Sequence, residues 1–445
     1  MQEEMSKVRW RILAVMFFGN AINFVDRTSL GVAMPFMRRD LHLSTVQVGY
    51  AFSALLLTYA PVLLLGGTLA DRYGPRRLAA GATVAWSVMT GLIGAVQSWG
   101  ALMLCRVLLG AFQSGATPSW AKATSRWFPR RERGFAVSIY DSGIRFGGFL
   151  SVPIMAALVG WLGWRWAFVA IGVVGVLWVP LWLLVYHDPH AHPRANAAEI
   201  AYIEDGGAAP TRSTGAPGMP WRDLFRYRTT WGIALVAFFA GGQVYFFLTW
   251  LPTYLMTVRH FSLLKEGSLG MVPLIASAIG GVLGGIVGDV LVRRGASVNF
   301  ARKFCILSGL ILACITSPVA WVDDTGMIIT LLSVGMFANA FASVSIFALP
   351  LDVSPVPERT ASLAAIQMSG TMAGGLTYPL LVGYILKWTG GNFTWPIIGS
   401  GVAAFLGILI FLVLVRDVQP LPILPDRMRP TEPPAPVAGG PGRWT

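Results

Sequence analysis

Five ionised side chains stand where the sequence is otherwise apolar: Asp26, Arg27, Arg106, Asp141 and Arg145. A charge at the centre of a membrane-spanning helix costs roughly 2.5–3.5 kcal/mol. Five unpaired charges would therefore cost an amount comparable to the stability of a whole domain. They must pair or face a wet cavity. Asn20, Asn23 and Arg27 fall at i, i+3 and i+7 on one helical face, with Asp26 three positions beyond Asn23. Arg106, Gly110, Gln113 and Thr117 make a second polar stripe, and Ser138, Asp141, Ser142 and Arg145 a third. Three arginines against two aspartates leave a shared cavity net positive. Arginine keeps its charge and grips a carboxylate through two parallel N–H donors, so the chemistry expected is the binding of an organic anion. Arg106 has no acidic neighbour on its own helix, so an anion or a group from another helix must balance it. Asp141 and Arg145 are an i, i+4 pair, and mutual neutralisation is their alternative reading. An aspartate in such a cavity can change protonation as solvent access and neighbouring charge change, which is the basis for proton coupling.

The elements that hold these residues follow from composition. The chain has 445 residues, 55% hydrophobic and only 12% charged, about half the charged fraction of a soluble domain. A formal charge of +13 would ordinarily raise nucleic acid as a partner. The apolar content instead makes the lipid bilayer the partner and excludes nucleic acid. One spanning helix needs roughly 20 apolar residues. Runs near 11–36, 46–70, 78–97, 100–122, 133–159, 164–186, 230–257, 266–291, 302–322, 326–350, 359–387 and 393–415 give twelve spans. Prolines inside them, such as Pro61, Pro153, Pro273 and Pro379, are tolerated because neighbouring helices satisfy freed backbone groups. The first run is too long for a cleavable signal, and it continues through Asn20, Asn23, Asp26 and Arg27.

A polar stretch between spans six and seven divides the chain in two. Gly67-Thr-Leu-Ala-Asp71-Arg72-Tyr-Gly74 follows span two, and Gly285-Ile-Val-Gly288-Asp289 follows span eight, a weak internal echo. The expected fold is an all-α membrane protein of twelve transmembrane helices in two pseudo-symmetric six-helix bundles, a transporter architecture with substrate held between the halves. The expected divisions are an N-terminal bundle at 10–187, a cytoplasmic central loop at 188–229, a C-terminal bundle at 230–416 and a disordered, proline-rich cytoplasmic tail at 417–445. With the N-terminus inside, 25 of the 34 lysines and arginines fall on inner segments and 6 on outer ones. That bias places both termini in the cytoplasm. Cys105, Cys305 and Cys314 lie in apolar runs without metal-ligand spacing, and the five histidines fall in loops. No metal site follows from them. Nor does any nucleophile–base constellation appear, so an enzyme is disfavoured. The ladder Gly280, Gly281, Gly284, Gly285 and Gly288 reads as close helix packing.

The Gly-x3-Asp-Arg-x-Gly-x-Arg-Arg loop after span two resembles the signature of the major facilitator superfamily. More narrowly, Ile22-Asn-Phe-Val-Asp26-Arg27, Met34-Pro35, Arg106-x3-Gly110, Trp127-Phe128-Pro129-Arg-x-Glu132-Arg133 and Trp250-Leu-Pro252-Thr-Tyr254-Leu resemble its anion:cation symporter family. The resemblance runs to about residue 416. It implies that Arg27, Tyr59 and Arg106 are substrate-pocket positions, that Asp26 is a coupling aspartate, and that Asp71 with Arg72 forms a cytoplasmic gate between halves. Three positions depart from the family pattern. Gln113 stands where a titratable glutamate is usual, Ile144 and Arg145 follow Ser142-Gly143 where a glutamine is frequent, and Met372 replaces a frequent asparagine. The last two changes weaken the case for a polyhydroxylated sugar acid and favour an aromatic or poorly hydroxylated one, with a second acidic group meeting Arg145.

The expected function is secondary-active, proton-coupled import of a small organic carboxylate by alternating access, in the cell inner membrane and as a monomer. Arg27, Tyr59, Arg106, Gln113, Arg145, Tyr245, Trp250, Asn339 and Gln367 are the candidate substrate contacts, and Asp26 and Asp141 the proton carriers. No cofactor is expected, and the coupling ion is a proton. Because glutamine cannot titrate, an electroneutral exchanger or uncoupled facilitator is the alternative. A non-transporting sensor on the same scaffold is the remote one.

Overall fold

The computed structural model describes residues 5–205, 221–355 and 360–422. Most of the expected tail and the middle of the central loop thus lie outside the described residues. The chain is helical: α1 Val8–Asp40, α2 Thr45–Ile93, α3 Trp99–Gln113, α4 Ala116–Trp127, α5 Arg130–Val185, α6 Ala197–Asp205 and α7 Arg228–Thr257, followed by α8 Leu263–Leu269, α9 Met271–Arg293, α10 Val298–Ala313, α11 Thr325–Val353, α12 Thr360–Trp388 and α13 Thr394–Ile410. Eight helical segments among the described residues are long and apolar enough to cross a membrane. Leu177, Ile311 and Leu104 stand 66%, 61% and 59% exposed. Asn20, Arg106 and Gln113 are buried, so charged and amide groups lie inside beneath an apolar exterior, as lipid contact requires.

The helix boundaries have local causes. Ser44 and Gln47 form a reciprocal capping box at the start of α2. The side chains of Ser98, Ser297 and Asp324 cap α3, α10 and α11. Two long helices are each interrupted by a glycine at positive φ: Gly74 (φ 73°, ψ 158°) in α2 and Gly163 (φ 78°, ψ 161°) in α5. Residues with a Cβ rarely adopt that conformation, so the chain breaks direction there, with Pro75 next in α2.

Packing repeats between the halves. A Cβ at Gly143 or Gly147 of α5 would lie 2.3 Å from the carbonyl oxygens of Phe17 and Ala21 in α1. At Gly370 or Gly374 of α12 it would lie 2.1 Å from those of Ala234 and Phe238 in α7. Each pair of glycines four residues apart seats a helix on two carbonyls four residues apart, a close approach only glycine permits. Gly280 and Gly284 of α9 do the same against Phe337 and Phe341 of α11, as the packing reading of that ladder anticipated.

At the end of the bundle carrying Tyr50 (the distal end) the two halves touch. The Tyr50 and Tyr384 hydroxyls lie 3.2 Å apart, and Ser53 Oγ donates to Leu376 O at 2.6 Å. Gly49 and Gly383 meet the Pro379 and Thr45 backbones there, and Gly31 meets Leu248 O. The opposite, basal end carries Val8, Gly74 and Asp188.

The central loop contributes more than a polar tether. Glu199 of α6 is fully buried. It accepts from Ser6 Oγ at 2.5 Å, Val8 N at 3.1 Å, Arg9 N at 3.2 Å and Arg9 Nη1 at 3.3 Å. Its carboxylate thus satisfies the free N–H groups that begin α1, a favourable place for a negative charge. Arg9 also reaches Glu132 at 3.4 Å, and Tyr202 donates to Glu132. Removing one partner of a buried ion pair costs about 3–5 kcal/mol. Glu199→Ala should therefore lower unfolding free energy by that amount in detergent, and Ser6→Ala by much less, as thermal and denaturant unfolding would show.

Candidate functional site

Arg27 is held on two sides. Its Nε donates to Gln113 Oε1 at 2.9 Å, and its guanidinium carbon lies 4.2 Å from the centre of the Tyr59 ring. A cation over an aromatic face is stabilised by the ring's negative π surface, the more so away from water. Gln113 is completely buried and turns its amide donor to Asn23 O at 3.3 Å. It therefore fixes Arg27 against α1 without cancelling its charge. Tyr59 in turn meets the Thr117 hydroxyl at 3.4 Å. Arg106, 3% exposed, donates through Nε to Ala51 O at 3.1 Å and leaves Nη1 without a partner. Gly110, one turn on, lets α3 approach α2 so closely that a Cβ would lie 2.0 Å from Leu55 O. Arg27 and Arg106 line one small cavity together with Tyr245, Leu248 and Phe24.

A larger cavity of about 290 Å3 adjoins it and shares Phe24, Tyr245 and Leu248. Its polar lining is Arg145, Tyr245, Asn339, Ser343, Ser277 and Thr371, set among phenylalanines and aliphatic groups. Arg145 is exposed to this space beside Gly281. Among the described residues it makes no hydrogen bond and no ion pair closer than 4 Å, Asp141 included. The two form no contact ion pair, and the Arg145 charge still acts on the Asp141 carboxyl. Asn339 is anchored, its amide donating to Gln243 Oε1 at 2.6 Å and its own oxygen accepting from Ser343 at 3.3 Å. A concave, mostly apolar site with a few fixed polar groups is the form small-ligand sites take.

Other expected residues lie apart from these cavities. Asp26 is 2% exposed and lines neither cavity; its carboxyl faces Thr90 and Trp86 of α2. Trp250 is buried at the distal seam, donating to Pro379 O at 3.2 Å and packing edge-on against Phe52 and Phe393. Gln367 donates to Ile346 O at 2.5 Å, joining α12 to α11. Asn20 is a structural junction, accepting from Trp120 Nε1 and donating to Tyr140 O, each at 3.0 Å. Asp71, with a side chain 80% exposed, accepts from Lys122 at 2.8 Å within its own half, and this contact holds its carboxyl below the usual range. Arg72 lies over Tyr73 at 5.5 Å. Asp71 thus faces solvent and a lysine of its own half. Sequence reasoning missed Gln243, which joins α7, α11 and α13 through Asn339 and Ser400 O. A glutamine in the middle of an apolar span was the available signal.

The sequence pattern of the Major Facilitator Superfamily matches residues 16–300. A relative from Bacillus subtilis (strain 168), named a probable galactarate/D-glucarate transporter, is 32% identical over 93% of each chain. A probable sulfoacetate transporter of Cupriavidus necator is 32% identical over 92% of this chain and 94% of its own. Among solved structures, a bacterial homologue of the human lysosomal transporter Spinster, inward-facing and occupied, superposes with a TM-score of 0.78 at 19% identity. That alignment covers 92% of this chain and 97% of the other.

Gln113 offers a direct test of how Arg27 is held. Gln113→Glu places a carboxylate where Arg27 Nε now meets an amide. Above the carboxyl pKa that charge competes with a bound anion, and below it the competition ends. Anion affinity of the variant should be at least about tenfold weaker in alkaline than in acidic buffer, beyond any change in the wild type, as binding isotherms across pH would measure.

Proposed function

The chain belongs to the Major Facilitator Superfamily, and from that premise we propose that it imports a small organic anion with two acidic groups, driven by protons. The observation that carries the reading is Arg145, a cation facing the larger cavity with no hydrogen bond and no ion pair within 4 Å among the described residues, across Phe24, Tyr245 and Leu248 from Arg27 and Arg106. A substrate bearing one acidic group at each end balances both. Such groups bind guanidinium through paired, charge-assisted hydrogen bonds. The apolar walls leave few partners for a string of hydroxyls, which favours a short or poorly hydroxylated acid. The relatives named for galactarate/D-glucarate and for sulfoacetate are named for doubly acidic compounds.

Twelve crossings follow when α2 and α5 each count as two, broken at Gly74 and Gly163, and α3–α4 and α8–α9 count as one each. The basal end is then cytoplasmic by its basic residues. The closed distal seam supports an inward-facing state for this reading. In this reading six-helix halves rock about the Arg27–Arg145 region, Asp26 carries the proton, and Asp71 leaves Lys122 to close the basal end in the opposite state. Gln113 cannot carry a second proton, and Asp141, exposed one turn from Arg145, is the candidate for that role.

Uptake of labelled sulfoacetate, D-glucarate and D-galactonate into proteoliposomes, with and without an inward proton gradient, tests the proposal. Gradient-dependent accumulation of a doubly acidic compound is expected. Accumulation indifferent to the gradient would replace symport with exchange or facilitation. Arg106→Ala should abolish binding of every acid with the fold intact. Arg145→Ala should weaken doubly acidic ligands about 10–100-fold, the worth of a charge-assisted pair, and leave monocarboxylates nearly unchanged. Equal loss for both classes would remove Arg145 from substrate recognition.

A further inference from the structure

Many buried hydroxyls in this bundle bond back to their own helix. Thr28, Ser29, Ser114, Ser119, Ser151 and Thr249 each donate to a carbonyl three or four residues earlier, the usual solution in apolar surroundings. The second segment of α2, after Gly74, departs from this. Thr83, Ser87 and Thr90 are 1%, 1% and 0% exposed; the hydroxyls of Thr83 and Ser87 make no hydrogen bond, and that of Thr90 faces the Asp26 carboxyl, as does the indole N–H of Trp86. Among the described residues α2 alone carries, in consecutive turns, three buried hydroxyls that do not bond back to their own helix.

The spacing 83, 87, 90 puts them on one face, spanning about 10 Å of helix. Asp26 stands at one end of the stripe, against Thr90 and Trp86. The charged groups facing it are Arg106 from α3 and Arg27 from its own helix. Neither comes within ion-pair distance. Ser87 sits where three helices meet: a Cβ at Gly175 of α5 would lie 2.1 Å from its hydroxyl, and Ile22 of α1 borders the same point. Two turns beyond Thr83, Arg76 donates to Leu183 O at 2.7 Å and to His187 Nε2 at 3.2 Å, at the basal surface. Buried polar groups are almost always hydrogen-bonded. Where such a group has no protein partner, an ordered water can take that place if the site has room for it. A carboxyl, an indole N–H and three hydroxyls in a row therefore outline a polar thread through an apolar junction. Its members do not line the anion cavities.

We propose that Asp26 exchanges its proton with the basal solvent along the Thr90–Ser87–Thr83 stripe, separately from the path taken by the anion. Each hydroxyl or intervening water accepts one proton as it donates another. The net change is a carboxylate at Asp26 and a proton delivered to bulk water. The inference rests on Asp26 being the proton carrier.

The test needs no substrate. Infrared difference spectra against Asp26→Asn assign the carboxyl stretch of Asp26, and its hydrogen–deuterium exchange is followed after transfer to heavy water. Thr83→Val and Ser87→Ala should slow that exchange at least tenfold, whereas Thr83→Ser, which keeps the hydroxyl, should retain the wild-type rate. Unchanged exchange in Thr83→Val and Ser87→Ala would overturn the route while leaving Asp26 as carrier. Equal slowing in Thr83→Ser would also overturn it, since packing rather than the hydroxyl would then control the rate. An Asp26 band that does not titrate between acid and alkaline buffer would instead remove Asp26 as carrier, and the route with it.

Discussion

A guanidinium placed inside a slab of hydrocarbon must be held without being neutralised, and the N-terminal half is organised around meeting that demand at Arg27. An acidic partner would satisfy the charge and leave nothing for a ligand. The chain supplies an amide and an aromatic face instead, Gln113 and Tyr59, which orient the cation and lower the cost of its burial. Gln113 can do this only because its other end is tied to the α1 backbone at Asn23. That tie requires α1 and α3 to be at fixed separation. Glycines at the helix contacts set such separations to backbone distance.

The same economy distinguishes the two halves. The N-terminal half keeps its buried charges loosely satisfied: Arg106 has a free Nη1, and Asp26 meets the neutral side chains of Thr90 and Trp86 rather than a contact ion pair. The C-terminal half buries amides instead, with Gln243, Asn339 and Ser400 locked to one another and to the backbone. Side chains held by neutral, mutually satisfied networks form a rigid wall. Charges left under-satisfied remain available for exchange with something that moves. The chain is thus divided into a rigid wall and a face with charges left to exchange.

Much of this was legible in the sequence. The polar stripes containing Arg27, Arg106 and Arg145 announced themselves because a charge in an apolar run is expensive and therefore purposeful. The glycine ladder at 280–288 was readable as packing for the converse reason. What sequence could not supply was the direction in which a buried side chain points. Trp250 and Gln367 sit on the expected faces but turn to backbone carbonyls of neighbouring helices. The choice between facing a cavity and facing a seam depends on helix rotations of a few tens of degrees. Glu199 was hidden differently. It lies in a stretch rich in small and polar residues, where nothing local marks one glutamate as the cap of a helix 190 residues earlier.

The distal seam has an electrical consequence. Its hydrogen bonds are neutral, a tyrosine pair and a serine on a carbonyl, and the rest is glycine against backbone and Trp250 against Phe52. Ion pairs such as Arg259–Asp323 and Arg302–Asp352 stay within one half. Dissolved salt weakens charge–charge attraction but hardly touches dispersion contacts or neutral hydrogen bonds. The force that holds this seam shut is therefore nearly blind to the ionic strength of the medium it faces, and dilute or concentrated salt would leave its opening equally easy.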